Sequence, residues 1–381
     1  MEAEDRTVLR GMTWSDPRGY EPVVAVAAAF AETRPDVAVV WDKRSLQDFE
    51  AFPVDALAAT YDLMVIDHPH VGEVAAGGCL VPLDEALPAE RIAAFAADSV
   101  GPSFESYRWQ GHLWALPIDA SAPVQAFRPD LLPAPAARWG EVVRHAEAGR
   151  VVWPLRSPHA LMGFFTLAAN RGTPCTTTLG PLIAPGAGRV VLEAMRAAAR
   201  HIDPACWRLD PIAALDLLAG EDRFSLVPLV YGYRNYAGPG YRRRVARFAD
   251  MPCLGEAGPR GSCLGGTGLA VSAGSRHREL ACAFAAFCAD AEVQRTVYAG
   301  NGGQAASACA WGDDAVNAAA GGFYRAVRRT VEGAWLRPRH PGYMGFQHAG
   351  SEIVADCLAG RRDVGAALEA LDAAYRESFR A

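Results

Sequence analysis

The chain has 381 residues, of which 51% are hydrophobic and 21% are charged, and its formal net charge is −6 at pH 7. This length favours two α/β lobes that each bury a core. An acidic balance without a block of basic residues argues against a nucleic-acid partner, and no segment is long and apolar enough to span a bilayer.

The cysteines and the N-terminus bear on the cellular compartment. Nine cysteines form no C-x-x-C pair and no evident disulfide framework, which favours a reducing compartment. Residues 1–6 are acidic and lack the basic and apolar regions of a signal peptide. We therefore expect a cytoplasmic protein if Met1 is the native start, and a periplasmic one if a signal peptide was removed.

The first part of the chain alternates between predicted strands and helices. Residues 7–12, 37–41 and 61–66 are predicted strands, and the last of these is apolar enough for a parallel strand buried on both faces. A helix is predicted from Pro22, because apolar residues recur from Val23 to Phe30 at helical spacing. The order strand, helix, strand favours a parallel α/β sheet.

The rest of the chain continues as α/β. Further strands are predicted at residues 113–117, 151–153, 226–230 and 268–271. Helices are predicted at residues 139–148, 188–201, 280–288, 291–298, 351–358 and 364–379, with Asp290 as the cap of the fourth.

Several segments, in their order along the chain, carry a resemblance. They are LRGMTW at 9–14, FAETRPDV at 30–37, YDL at 61–63 with GGCLVPLD at 77–84, LWALP at 113–117 with FRPDLL at 127–132, GGTGLAV at 265–271, and NGGQ at 301–304. Together they resemble the bacterial extracellular solute-binding proteins of sugar ABC importers. Phe127-Arg128 and Gln304-Ala305-Ala306 depart from the pattern of that family at positions that usually contact sugar.

The resemblance implies an α/β fold of the two-lobed type II periplasmic-binding-protein class. Each lobe would be a mixed, mostly parallel sheet flanked by helices, with a ligand cleft between the lobes. Lobe 1 would hold residues 1–118 and 266–318, and lobe 2 residues 119–265 and 319–381. The implied function is binding of a sugar, sugar acid or small carboxylate by hinge closure. The chain would be the monomeric binding component of an ABC-type importer, with the permease subunits as partners and no cofactor.

Candidate ligand residues follow the predicted strands, because ligands of open α/β sheets bind beyond the carboxyl ends of the strands. The loop after the first strand offers a stacking ring, a carboxylate, a cation and a phenol. These residues are Trp14, Asp16, Arg18 and Tyr20. In the alternative interpretation, Asp16 and Arg18 pair locally and Trp14 fills the core.

The segment after the third strand holds Asp67, His68 and His70. These side chains could hydrogen-bond a ligand, serve a structural role, or bind a metal. The H-x-H pair has no Cys or third His motif near it, so we predict no metal site.

The second lobe offers Tyr231, Tyr233, Arg234 and Asn235 after a predicted strand. Tyrosine rings cover the C–H faces of a sugar, and Arg or Asn satisfies its polar groups. A tyrosine-rich core edge is the alternative. Further candidates lie near the expected hinge and at the return crossing: Asp119, Gln125, Gly266 and Thr267.

A cytoplasmic enzyme that reuses the same cleft is the competing function. Asp67, His68 and His70 would then be its acid–base residues, with Arg18 or Arg234 holding an anionic substrate. The sequence has no G-x-S-x-G or H-E-x-x-H signature, so binding is the preferred function. A ligand sensor with a protein partner is a third possibility that no residue distinguishes.

Overall fold

The computed structural model describes residues 6–46 and 53–380. The acidic residues 1–5, on which part of the export prediction rests, lie outside the described residues. Within the described ranges, no helix is long and apolar enough to cross a membrane.

The described strands are numbered in chain order. They are β1 (Thr7–Trp14), β2 (Val37–Arg44), β3 (Leu63–Asp67), β4 (Arg108–Trp109), β5 (His112–Leu113), β6 (Leu116–Ser121), β7 (Pro123–Phe127), β8 (Leu226–Tyr231), β9 (Arg247–Ala249) and β10 (Gly265–Val271).

The described α-helices are numbered in the same way. They are α1 (Pro17–Thr33), α2 (Val54–Ala58), α3 (Val71–Gly77), α4 (Leu83–Ala86), α5 (Ala89–Ala97), α6 (Ser103–Ser106), α7 (Trp139–Glu147), α8 (His159–Asn170), α9 (Pro185–Ala199), α10 (Pro211–Gly220), α11 (Arg278–Cys288), α12 (Ala291–Val293), α13 (Ala308–Gly312), α14 (Asp314–Ala319), α15 (Phe323–Glu332), α16 (Tyr343–Leu358) and α17 (Val364–Glu377).

The chain divides into two compact units, each made of two stretches of sequence. Unit 1 consists of Met1–Ala120 and Gly266–Asn317, and unit 2 of Ser121–Gly265 and Ala318–Ala381. The expected lobe limits at 118/119 and 318/319 fall within two residues of these divisions.

Unit 1 contains a five-stranded sheet in the order β2-β1-β3-β10-β6. β1 runs parallel to both β2 and β3, and β10 runs antiparallel to β3. The central β3 is apolar and buried along Leu63 to Ile66, as expected for a strand that is covered on both faces. The predicted parallel sheet is therefore present in unit 1, with β10 as an antiparallel member.

Helix α1 begins earlier than predicted. The Asp16 side chain accepts a hydrogen bond from the backbone N–H of Arg18 at 2.8 Å, and Pro17 occupies the first turn. A capping Asp followed by Pro is a strong helix start, because the carboxylate satisfies a free N–H and the proline has none to lose. The expected loop after β1 is therefore wrong: Trp14 ends the strand, while Arg18 and Tyr20 lie in the first turns of the helix.

Unit 2 contains a three-stranded sheet in the order β8-β7-β9, and β7 pairs antiparallel with both neighbours. Only a single bridge, Val151 to Leu226, is parallel among the described pairings of this sheet. The α/β class is confirmed, but the expectation of a mostly parallel sheet is wrong for this unit. The order strand, helix, strand predicts parallel neighbours only when a single helix connects the two strands. Here four helices, α7 to α10, lie between β7 and β8, so the order does not fix their relative direction.

The core of unit 2 lies around α8. Nearly all of its residues are buried, and Phe164 and Phe165 are fully enclosed. This helix packs against α16, and α17 packs against both α16 and α9. The helix was not predicted, because an almost wholly apolar segment has no helical periodicity to detect.

Candidate functional site

Several predicted residues lie where the carboxyl ends of the parallel strands of the unit 1 sheet meet. Trp14 is the last residue of β1 and Asp67 the last residue of β3. Because these strands are parallel, both residues lie at the same end of the sheet. Thr267 of the antiparallel β10 stands directly opposite Asp67. Asp67 and Thr267 thus place a carboxylate and a hydroxyl at the carboxyl ends of the parallel strands, where α/β folds bind ligands.

A buried ion pair lies in the same unit. The Arg18 Nε donates to Asp119 Oδ2 at 2.8 Å, and an amino group of Arg18 donates to Asp119 Oδ1. Arg18 is only 4% exposed and Asp119 only 1%. Burial raises the pKa of Asp119, and the Arg18 guanidinium opposes that rise by stabilising the carboxylate.

Asp16 and Arg18 do pair locally, through the backbone N–H of Arg18. The Asp16 carboxylate accepts a hydrogen bond from the backbone N–H of Arg18, whereas the guanidinium of Arg18 donates to the Asp119 carboxylate. The carboxylate of Asp16 is used as a helix cap, which positions α1 against the sheet.

Trp14 packs in the hydrophobic core of unit 1 and is 3% exposed. The α-carbon of Gly19 lies against its indole, since a Cβ on Gly19 would fall 2.3 Å from the ring atoms. This packing fits the alternative in which Trp14 fills the core, and it makes the indole part of the framework of the site.

Tyr20 is half-buried, and Lys43 Nζ stands 4.3 Å from the centre of its ring. This distance is within the range of a cation–π interaction. Lys43 was not among the predicted ligand residues. The signal that could have found it is its place near the carboxyl end of β2, beside Thr13 of β1.

Asp67, His68 and His70 have different surroundings. The carboxylate of Asp67 accepts from the backbone N–H of His68 at 2.9 Å and lies 3.3 Å from its Nδ1. The His68 ring is fully buried and meets Tyr107 edge-on at 6.2 Å. His70 Nδ1 lies 3.8 Å from Glu73. Among the described residues, no group of three metal-binding side chains converges.

Gly266 brings β10 close to Asp119. Its φ of 95° is in the left-handed region, and a Cβ at this position would lie 2.2 Å from the carbonyl oxygen of Asp119. Only glycine fits both constraints without displacing the backbone. Gly266 therefore acts by permitting a close approach, and the neighbouring Thr267 is buried beside it, since only 7% of its surface is exposed.

In unit 2, Tyr231 ends β8 as expected, and Arg234 to Ala237 form a short 3₁₀ turn. Tyr233 is 4% exposed and Arg234 9%, whereas Tyr231 and Asn235 are half-buried. The turn is tied to α10, because the hydroxyl of Tyr236 donates to Asp216 at 2.7 Å.

Gln125 has a structural role in unit 2. Its amide nitrogen donates to the carbonyl oxygens of Ala136 and Asp250, at 2.8 and 2.6 Å, and its amide oxygen accepts from Ala136 N at 2.9 Å. Both amide hydrogens are therefore used by the backbone. Gln125 has no hydrogen left to donate to a solute, so its prediction as a ligand residue is corrected.

The model of the family described as bacterial extracellular solute-binding protein matches residues 25–308. Because this match spans well over half of the 381 residues, the chain belongs to that family. No curated protein matches the chain in sequence.

Solved structures share the fold at low sequence identity. An ABC transporter solute-binding protein from Agrobacterium radiobacter K84, in complex with ribitol, is 19% identical with a TM-score of 0.79, and 98% of each chain is covered. Maltose-bound MalE3 of T. maritima is 16% identical with a TM-score of 0.81, covering 98% of this chain and 100% of that one. A Thermotoga lettingae TMO solute-binding protein bound with α-D-tagatose is 15% identical with a TM-score of 0.82 and the same coverage. These likenesses confirm the two-lobed periplasmic-binding-protein fold.

Proposed function

We propose that the protein binds a small neutral polyhydroxylated solute, a sugar or polyol, as the substrate-binding component of an ABC-type importer. Membership of the solute-binding family supports the role. The ribitol, maltose and tagatose complexes of structures with the same fold support the ligand class.

The ion pair between Arg18 and Asp119 is the observation that carries the choice of a neutral ligand. The positive charge of the guanidinium and the negative charge of the carboxylate cancel, so Arg18 adds no excess positive charge to this part of unit 1. Asp67, whose side chain is 18% exposed, adds carboxylate oxygens at the carboxyl ends of the parallel strands. Carboxylates accept hydrogen bonds from hydroxyl groups and repel acids, so we expect sugar acids to bind more weakly than neutral sugars.

The candidate residues of unit 2 have the chemistry that a sugar requires. Tyr231, which is half-buried, offers a flat ring for C–H faces, and Asn235 has an amide that both donates and accepts. We propose that these residues contact the solute together with Asp67 and Thr267 of unit 1.

We further propose that the protein works outside the cytoplasmic membrane as a monomer that delivers its solute to permease subunits. The extracellular family supports this location. Hinge closure on the ligand predicts a smaller radius of gyration in the ligand-bound state, which X-ray scattering measures. Light scattering coupled to size exclusion measures the oligomeric state.

The experiment is a thermal-shift screen of the purified protein, followed by calorimetry. Ribitol, maltose and tagatose are compared with glucuronate and succinate, because a ligand that binds only the folded state raises the melting temperature. We expect shifts with neutral polyols and none with the acids. Shifts with the acids alone would overturn the proposed ligand class.

Two controls separate specific binding from nonspecific stabilisation and from catalysis. Asp67→Asn is expected to remove the shift, whereas Asp42→Asn, which removes an exposed carboxylate on β2, is expected to preserve it. A bound solute recovered chemically unchanged after long incubation supports binding. Conversion to a product would favour the acid–base enzyme instead.

A further inference from the structure

A concave surface of unit 2 is lined by three arginines. It lies between α9 and the start of α17 and is lined by Arg189, Glu193, Arg196, Arg200, Asp363 and Val364. Arg189 and Arg196 lie in α9, and Arg200 directly follows its last residue. Their spacing of seven and four residues places all three on one side of the helix at 3.6 residues per turn.

The charges of this concavity are only partly balanced by the chain. Arg189 lies 3.6 Å from Glu193, and Asp363 caps α17 by accepting from the backbone N–H of Ala366 at 3.0 Å. The side chains of Arg196 and Arg200 form no hydrogen bond or ion pair with any residue in the described ranges. Two guanidinium groups, one turn apart, therefore face the concavity without an acceptor.

Arg196 is packed more closely than Arg200. Its Nε is shielded from solvent and has no hydrogen-bond partner in the described chain. Its side chain lies against the turn after α16, since a Cβ on Gly360 would fall 3.8 Å from Nη2. Arg196 as a whole is half-buried, so the part of its side chain that solvent reaches is open to an anion in the concavity.

We propose that this concavity is an oxyanion site, centred on Arg196 and Arg200, for a group of the phosphate class. A guanidinium presents its N–H donors in a planar fork that matches phosphate oxygens, and two forks one helical turn apart can hold one tetrahedral anion. A free phosphate ester and a phospholipid headgroup share this chemistry. The site lies in unit 2 and does not depend on the sugar-binding proposal.

Calorimetry with inorganic phosphate tests the site, with sodium chloride keeping the ionic strength constant. We expect saturable binding that Arg196→Gln and Arg200→Gln each weaken by about tenfold or more, through loss of charge-assisted hydrogen bonds. The matched control is Arg278→Gln, which removes the same charge from an exposed position in unit 1 and should leave phosphate affinity unchanged. Arg200 is exposed, so its variant tests the site without disturbing the fold.

A second arm distinguishes the sources of the anion. Vesicles of phosphatidylglycerol are sedimented with the protein, with phosphatidylcholine vesicles as the neutral reference. Phosphate binding without vesicle binding indicates a free phosphate compound, and arginine-dependent binding to phosphatidylglycerol indicates a lipid headgroup. Absence of both, or equal binding by Arg196→Gln, Arg200→Gln and wild type, overturns the proposal.

Discussion

The Arg18 guanidinium of α1 holds the Asp119 carboxylate of β6 through two hydrogen bonds, although 101 residues separate them in the chain. Both side chains are almost completely buried. A buried charge is tolerated only while its partner is present, so each residue makes the other indispensable to unit 1.

Replacing Asp119 with Asn is therefore expected to destabilise the protein strongly. The variant leaves the Arg18 cation buried without a counter-charge, at a cost of about 3–5 kcal/mol in the free energy of unfolding. Denaturant unfolding measures the loss. The exposed pair of Arg10 and Asp42 provides the control, because Asp42→Asn should cost less than about 1 kcal/mol. Equal effects of the two substitutions would show that the buried pair has no special role.

Trp14→Ala is expected to act mainly on stability. The indole fills the core of unit 1 and covers Gly19, so its removal leaves a cavity that costs about 3–5 kcal/mol. Thermal or denaturant unfolding measures this loss, and Tyr20→Ala serves as the comparison because Tyr20 is half-buried. A Trp14→Ala protein with native stability and altered ligand affinity would contradict a core role for the ring.

Gly266→Ala is expected to disturb the start of β10. The new Cβ would meet the carbonyl of Asp119 in a backbone conformation that alanine disfavours, and the strain alone is worth about 1–3 kcal/mol. We expect a lower melting temperature and weaker solute binding, because Thr267 shifts with the strand. Gly300→Ala is the control, since nothing lies within 4 Å of that position. Matching behaviour of the two variants would exclude a special role for Gly266.

Unit 2 contains two buried histidines that predict acid sensitivity. Burial lowers the pKa of His159 from 6.5 to about 3, and burial lowers that of His340 to about 4. His340 Nε2 lies 2.8 Å from the Ser378 hydroxyl, which donates its own proton to Tyr375 O, so Nε2 carries the hydrogen. Protonation would then add a donor at Nδ1, a buried atom without a hydrogen-bond partner in the described chain.

The direction of the pH effect follows from these lowered values. Below pH 6.5 the unfolded chain binds protons at both imidazoles while the folded chain does not, so stability falls from about pH 6.5 towards pH 4. Each imidazole contributes up to about 1.4 kcal/mol per pH unit. Chemical unfolding at a series of pH values should show a shallower slope for His159→Gln and an unchanged slope for His201→Gln, which alters an exposed histidine. A slope that is the same in both variants would assign the acid sensitivity to other groups.

Local signals in the sequence predicted much of the secondary structure. Apolar repetition located α1 and α11, and Asp290 caps the helix that follows it, as predicted. The capping residue Asp16 and the following Pro17 also indicate the true start of α1. The apolar periodicity begins only at Val23, so the predicted start was placed too late in the chain.

Contacts between distant segments could not be predicted in the same way. The sequence placed Arg18 and Asp119 separately among the candidates, but no periodicity or motif indicates that they pair. Gln125 was chosen for its amide and its position, whereas its actual partners are the backbone groups of Ala136 and Asp250. Such partners depend on how strands and loops come together, which a single sequence does not contain.

The position of β10 has a consequence for the biosynthesis of the protein. This strand lies between β3 and β6 in the unit 1 sheet, yet it is made only after the ribosome has passed residue 264. Until then, the nascent sheet has open edges on β3 and β6, and open strand edges pair readily with other chains. The first stretch of unit 1 is translated before unit 2, but its second stretch follows residues 121–265 of unit 2. The unit 1 sheet therefore stays incomplete while most of unit 2 is translated, and we expect its early folding intermediates to need chaperones.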